Sequence, residues 1–448
     1  MNNYLFKQFY RNKAYLIALV FLLIAGLMSV YTGKKFLDRN EEIIAKSGNF
    51  QKESIERNIK FHKDDLGLIL YYIKFNLVNE TPKLAALNIG MRDLNPSIQG
   101  VTIRNLEEQR YNSDFYNPTN AAVGHFDFSF VLIFLFPLVI IAFCYNLISE
   151  EEEKGTWKLL SVQSGHLGKF LNAKMMIRGI AVSFIYFLLI SIATVWIRIP
   201  LDTYFMVFMI SGWLYILFWF ILCRWIILFR KSSAQNALIL LIAWVSMNFI
   251  IPMSCNLLIQ NSYPVQESLK TVMEQREGYH NKWDEAKGPT MEKFYQSYPQ
   301  YRKFKVEEND TFTWTWYYAM QHMGDVESAE SSALYSDKMQ KRNKAAVYLG
   351  YLLPNIHTQL TESQLAQTDM NNHLQYAGAL QKFHEEKRLF FYPLIFSGQN
   401  ADSVNWNTQT VEYFKKSEKT ELIKIFLPYL MIISLLLFLS HNKYRKLC

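Results

Sequence analysis

The chain has 448 residues, half of them hydrophobic and 16% aromatic, with a formal net charge of +8 and four cysteines. Its apolar residues clump into runs of the length, about 18 residues, that carries a helix across roughly 30 Å of hydrocarbon, which excludes an ordinary soluble protein. The basic excess collects in short loops between those runs, so it is a topology signal and excludes a nucleic-acid footprint.

In residues 1–13 the aromatic side chains Tyr4, Phe6, Phe9 and Tyr10 are interspersed with Lys7, Arg11 and Lys13. That pattern predicts an amphipathic helix lying in the headgroup layer of membrane lipid. The first span, 14–33, has a basic front like a signal peptide, but it is longer than a signal core and no small-x-small cleavage site follows; it reads as a retained anchor. Residues 34–126 form a first extracytoplasmic domain. Leu37, Ile43, Ile44, Ile55 and Ile59 recur there at helical spacing, so the span is expected to continue outward as a helix. The Asn95-Pro96 and Asn117-Pro118 turns mark irregular chain returning to the membrane.

The second span covers 127–148, followed by a loop at 149–174, then spans at 175–197 and 203–223, a loop at 224–235 and a fifth span at 236–258. A larger extracytoplasmic domain, 259–421, carries amphipathic helical patterns over 265–285, 325–350 and 360–390. Residues 311–318 alternate threonine with aromatics and make a candidate strand in an otherwise mainly helical domain. The sixth span is 422–441 and the tail 442–448. The short loops, the termini and the adjoining end of the third span, with Arg178, carry fourteen Lys and Arg against the four acids Glu150, Glu151, Glu152 and Glu153, which places both termini in the cytoplasm. The expected fold is therefore an all-α polytopic membrane protein with six transmembrane helices and two mainly helical extracytoplasmic domains. Cys144, Cys223 and Cys255 lie in or at the ends of spans and Cys448 ends the tail, so disulfides cannot hold the outer domains.

The loop after the second span reads Ser149-Glu-Glu-Glu-Glu-Lys-Gly-Thr-Trp-Lys-Leu-Leu160. Carboxylates at a span end, a Gly155-Thr156 break and a short amphipathic helix with Trp157, Leu159 and Leu160 offer a protruding apolar face to a groove on a partner. Glu150, Glu151 and Glu153 would pair with basic groups of that partner or steer its approach. The plainer reading is that the acids end the helix and solvate it.

The Glu-x-Glu-x-Gly-Thr-x-x-x-Leu pattern, on Glu151, Glu153, Gly155, Thr156 and Leu160, resembles the cytoplasmic loop of ABC-2 type permeases. The run from Leu353-Pro354 through Gln364-Leu-Ala-Gln-Thr-Asp369, His373, Phe383-His384 and Phe390-Phe391 resembles the outer domain of an ABC-2 subfamily with large insertions after spans one and five. There a glycine commonly precedes the Thr-Asp pair, where Gln367 stands here. The resemblance implies a transporter permease, export preferred over import, whose loop couples to a separate cytoplasmic ATPase holding the ATP and Mg. It also implies a second permease copy or a sister permease beside it.

The chain itself has no G-x-x-x-x-G-K-[ST] loop, and Gly165-His-Leu-Gly-Lys-Phe170 lacks the spacing and the hydroxyl, so it is expected to be no enzyme and to bind no cofactor. His373 and His384, eleven residues apart, read as structural hydrogen-bonding groups rather than metal ligands. Pro137, Pro252 and Pro428 are candidate hinges, with static kinks as the plainer alternative. Asn248 and Asn256 are candidate pathway residues, with hydrogen bonding between helices as the alternative. A different class of function remains beside the permease: a membrane-anchored envelope scaffold, or an ATP-driven device whose outer domains act on a partner without moving a solute.

Overall fold

A computed structural model describes residues 2–111, 125–157, 167–309, 311–416 and 421–444. Helix α1 (Asn2–Arg11) buries Leu5 and Phe9 and exposes Phe6 and Tyr10, as its amphipathic pattern requires. Asn12 then caps the next helix by accepting from Ala14 N at 3.0 Å. That helix, α2 (Lys13–His62), runs unbroken for 50 residues, about 75 Å. Its first turns are the first apolar run; the remainder rises out of the bundle.

Among the described residues, six helices are long and apolar enough to cross a membrane, and they fall on the six apolar runs: α2, α3 (Phe128–Glu153), α4 (Leu167–Ile197), α5 (Thr203–Ile227), α6 (Ser233–Ser262) and α12 (Leu422–Tyr444). The chain is thus an all-α polytopic membrane protein. Helices α3 and α5 form the centre, with 67% of their most apolar windows buried. Only 11% of the corresponding window of α6 is buried, so this helix turns most of its apolar surface outward. Helix α4 begins at Leu167, inside the stretch 149–174 read from sequence as loop.

Two of the prolines have the same local consequence. A π turn, Val131–Leu135, precedes Pro137 in α3, and another, Ser246–Ile250, precedes Pro252 in α6. Proline has no N–H to give the carbonyl four residues back, and its ring crowds that carbonyl, so the ladder shifts register ahead of it. In α3 the freed carbonyl is Ile133 O, and the Tyr215 hydroxyl of α5 donates to it at 3.0 Å. Trp244 Nε1 of α6 donates to the neighbouring Phe134 O at 3.1 Å. Pro428 lies inside α12, which continues through it.

Outside the bundle, the insertions at 34–126 and 259–421 do not build two separate bodies. They share one hydrophobic core, in which Leu66, Ile69, Phe75 and Ile103 from the first pack with Phe294, Tyr318, Phe391 and Tyr392 from the second. Its longer helices are α7 (Glu267–Asp284), α8 (Lys287–Ser297), α9 (Trp314–Gly350), α10 (Pro354–Leu365) and α11 (Met370–Phe396). A three-stranded sheet, β1 (Phe75–Asn79), β2 (Ile98–Val101) and β3 (Glu412–Phe414), also draws on both insertions. Strand β1 is central, antiparallel to β2 with Phe75 opposite Val101 and parallel to β3 with Leu77 opposite Glu412. We call this joint body the head.

Arg388 staples the two insertions. Fully enclosed, it pairs with Asp325 at 2.6 Å and donates from Nε to Ile103 O at 3.2 Å. Asp325 in turn accepts from the backbone N–H of Leu106.

The candidate strand over 311–318 is instead the start of α9. Thr313 is its N-cap, accepting from Trp316 N at 3.2 Å, and the aromatic run Trp316, Tyr317 and Tyr318 turns into the core. The helical stretch expected over 360–390 is two helices, α10 and α11, divided by a tight turn at 366–369.

Candidate functional site

At one end of the bundle, α3 closes with the short helix Ser149–Glu153, and Gly155 follows at φ 72°. A side chain is disfavoured in that left-handed conformation, which explains a glycine at the break. The carboxylates before it reach into the rest of the chain. Glu151 takes Lys174 Nζ of α4 at 2.6 Å and Thr156 Oγ1 at 2.5 Å. Glu152 accepts from Arg230 Nε at 2.6 Å, in the turn between α5 and α6. Glu153 accepts from Ser233 N at 2.8 Å and from Ser233 Oγ at 2.9 Å, at the first residue of α6. Glu150 pairs with Lys154. The acid run is therefore a clamp joining the end of α3 to α4, to the α5–α6 turn and to α6. Trp157 lies beyond it, with the Arg230 guanidinium over its ring at 5.4 Å. Leu159 and Leu160 lie outside the described residues.

At the opposite end, α10 of the head wedges between span ends. Leu365 and Ala366 belong to the core of the bundle, not to that of the head. His357 Nε2 donates to Ile425 O of α12 at 2.8 Å, and Thr358 Oγ1 meets the Tyr429 hydroxyl at 2.7 Å. Asn355 donates to Met247 O in the π turn of α6. Glu362 is fully buried against Ser129, the second residue of α3. The Ser129 hydroxyl accepts from Asn88 Nδ2 at 2.9 Å and also lies 3.2 Å from Leu87 O. Leu87 O already accepts from the Ser129 N–H at 3.0 Å, so the hydroxyl proton can serve either Leu87 O or Glu362. Burial pushes the Glu362 carboxyl up to about 8 and so favours its protonated form, in which it donates to Ser129. Asn88 Oδ1 receives Ser363 Oγ and Thr368 Oγ1, both at 3.1 Å.

A family model described as ABC-2 family transporter protein matches residues 6–284. The chain belongs to the ABC-2 transporter family. It is a multi-pass membrane protein, the membrane subunit of an ABC transporter, and such a permease works with an ABC ATPase. A second model, described as a domain of unknown function (DUF3526), matches residues 269–413, from α7 to β3. No curated protein matches the chain, and no solved structure does.

In this ABC-2 permease the remaining sequence candidates are dispersed. Asn248 is buried, and its Nδ2 donates to Trp244 O one turn back at 3.0 Å, whereas Asn256 is exposed on α6. Pro354 is the first residue of α10 and Asp369 precedes α11. His373 accordingly sits near the start of α11. His384 is enclosed in the head, Nε2 donating to Thr102 O at 3.0 Å, and burial pushes its pKa down, holding the ring neutral. Among the described residues no group of three or more His, Cys, Asp or Glu is placed to hold a metal.

Sequence reasoning missed Lys174, Arg230 and Ser233 as partners of the acid run. Their signal was available: each stands at the start of a span or in the turn before one, the place where a cation or a cap meets a neighbouring helix end. Glu362 gave a weaker one, a single acid between Leu360 and Leu365 on a helix opened by proline.

Proposed function

We propose that this chain is the permease subunit of a bacterial inner-membrane exporter, with both termini cytoplasmic, driven by a separate ATPase that docks on the segment after α3. ATP and Mg belong to that ATPase, and a second copy or a sister permease completes the pathway. The observation that carries this reading is the clamp of Glu151, Glu152 and Glu153: a push on the segment that follows them reaches four spans at once. The docking face is then Trp157 with Leu159 and Leu160, and the acids hold the lever rather than the partner. Pro137 and Pro252, each behind a π turn, are where α3 and α6 would bend. The exposed apolar face of α6, with Asn256 on it, is the surface for the second permease.

Purification of the chain from its native membrane, with mass spectrometry and an ATPase assay, tests the reading. A co-purifying ATPase that is lost in a Gly155→Pro, Leu160→Asp double variant supports it. Envelope proteins alone, with no hydrolysis, would replace it with the scaffold reading.

One observation favours a second outcome of the same coupling. Helix α10 is bonded to α3, α6 and α12, so span movement is carried directly into the head. An ATP-driven action on a partner held by the head, without solute passage, is that alternative.

A further inference from the structure

Where α1 lies against the bundle it closes over a cavity of about 60 Å³, walled by Gln8, Asn12, Tyr15, Glu150, Lys174 and Arg178. This is several times the space one water needs. Two cations so deeply buried are unusual at a span end, where lysine and arginine ordinarily extend to water. Lys174 is 7% exposed and Arg178 8%.

The charges around the cavity do not cancel. Lys174 is matched by Glu151, and Glu150 by Lys154. Arg178 donates to Lys174 O at 3.4 Å and to the Tyr15 hydroxyl at 3.2 Å, both neutral oxygens, and its guanidinium lies over the Tyr15 ring at 5.4 Å. Its Nε is buried without a hydrogen-bond partner, and among the described residues no carboxylate pairs with it. A buried guanidinium with an idle donor and one uncompensated charge calls for one anionic oxygen ligand.

The position of the cavity selects the source. Phe6 and Tyr10, both exposed on α1, and the basic residues Lys7, Arg11 and Lys13 place this helix at headgroup depth. We propose that the cavity is a binding site for the phosphodiester group of a membrane phospholipid in the leaflet facing α1, with Arg178 as its principal ligand. A phosphodiester carries the single negative charge the site lacks, and its free oxygens accept from the Arg178 guanidinium. The seat of α1 then depends on lipid. The acid clamp does too, because Lys174 is shared between cavity and clamp.

The full chain, purified in a maltoside detergent without phosphate, is the material for the test. Native mass spectrometry should find one retained phospholipid in the wild type that Arg178→Gln lacks and Arg178→Lys partly keeps. Saturating dihexanoylphosphatidylglycerol should raise the wild-type Tm by about 5 °C. The same lipid should bind Arg178→Gln at least about tenfold more weakly. If that variant fails to fold, Gln8→Glu adds an exposed charge at the mouth and should weaken the lipid about threefold or more. Equal lipid retention and equal shifts in the wild type and these variants, as expected for a cavity holding only water, overturn the site. Inorganic phosphate alone giving the full Arg178-dependent shift overturns the lipid assignment.

Discussion

Gln367 adopts φ 56°, a left-handed conformation that costs a residue with a Cβ about 1–2 kcal/mol. It stands just past the end of α10, where Thr368 N bonds back to Ser363 O at 2.8 Å and Gln367 N to Gln364 O at 3.2 Å. That is the closing turn in which glycine is favoured. The departure from the subfamily's glycine was visible in the sequence; that the backbone keeps the turn regardless was not. Gln367→Gly is expected to stabilise the protein by about 1 kcal/mol in thermal unfolding, less the extra freedom glycine has when unfolded. Glu362 gives a prediction of opposite kind. Its folded pKa, about 8, lies above the 4.5 of an ordinary glutamate, so its contribution to stability is fully present below about 4.5 and is lost as the pH rises through about 8. Glu362→Gln keeps the shape and removes the ionisation. Unfolding in detergent should show wild type and variant alike near pH 4.5, and the variant ahead at pH 9 by a few kcal/mol, since each tenfold change in proton affinity is worth about 1.4 kcal/mol. A constant difference across that range would count against a protonated Glu362.

Elements show which physics the sequence carries. The six spans were legible because hydropathy over about 18 residues is a local property. The end of the helix at Gly155 was legible for the same reason. The π turns were half legible, since the prolines announced a defect but not which neighbour repairs it. Tyr215 does so in α3, and Tyr215→Phe should cost about 1–2 kcal/mol by leaving Ile133 O buried and bare. Adding Pro137→Ala supplies an N–H to the same carbonyl and should return part of that loss in a double-mutant cycle. The internal partners of the acid run were not legible, because pairing across the chain cannot be seen in a run of glutamates. A charge swap separates the two roles. Lys174→Glu should weaken co-purification of the ATPase, and Glu151→Lys in the same chain should restore it, because the pair re-forms within the permease. Were Glu151 to contact the ATPase itself, the swap would leave binding weak.

At the scale of the whole molecule, the sequence showed two insertions and hid that they are one body. No local pattern reports that β1 pairs with a strand more than three hundred residues later, or that α10 leaves the head to join the bundle. Arg388 is the test of that union. Arg388→Met strips Asp325 of its cation and Ile103 O of a donor, and should open the head to limited proteolysis while the spans stay inserted. The parallel pairing of β1 with β3 also sets an order of events during synthesis. Strand β1 has left the ribosome long before β3, and four of the six spans lie between them in the chain. Through all that insertion the first segment waits with Phe75, Leu77 and Ile103 lacking their final neighbours. Maturation of this permease therefore includes an interval of exposed apolar chain that ends only when its last insertion arrives, and a folding helper beside the head would find its substrate there.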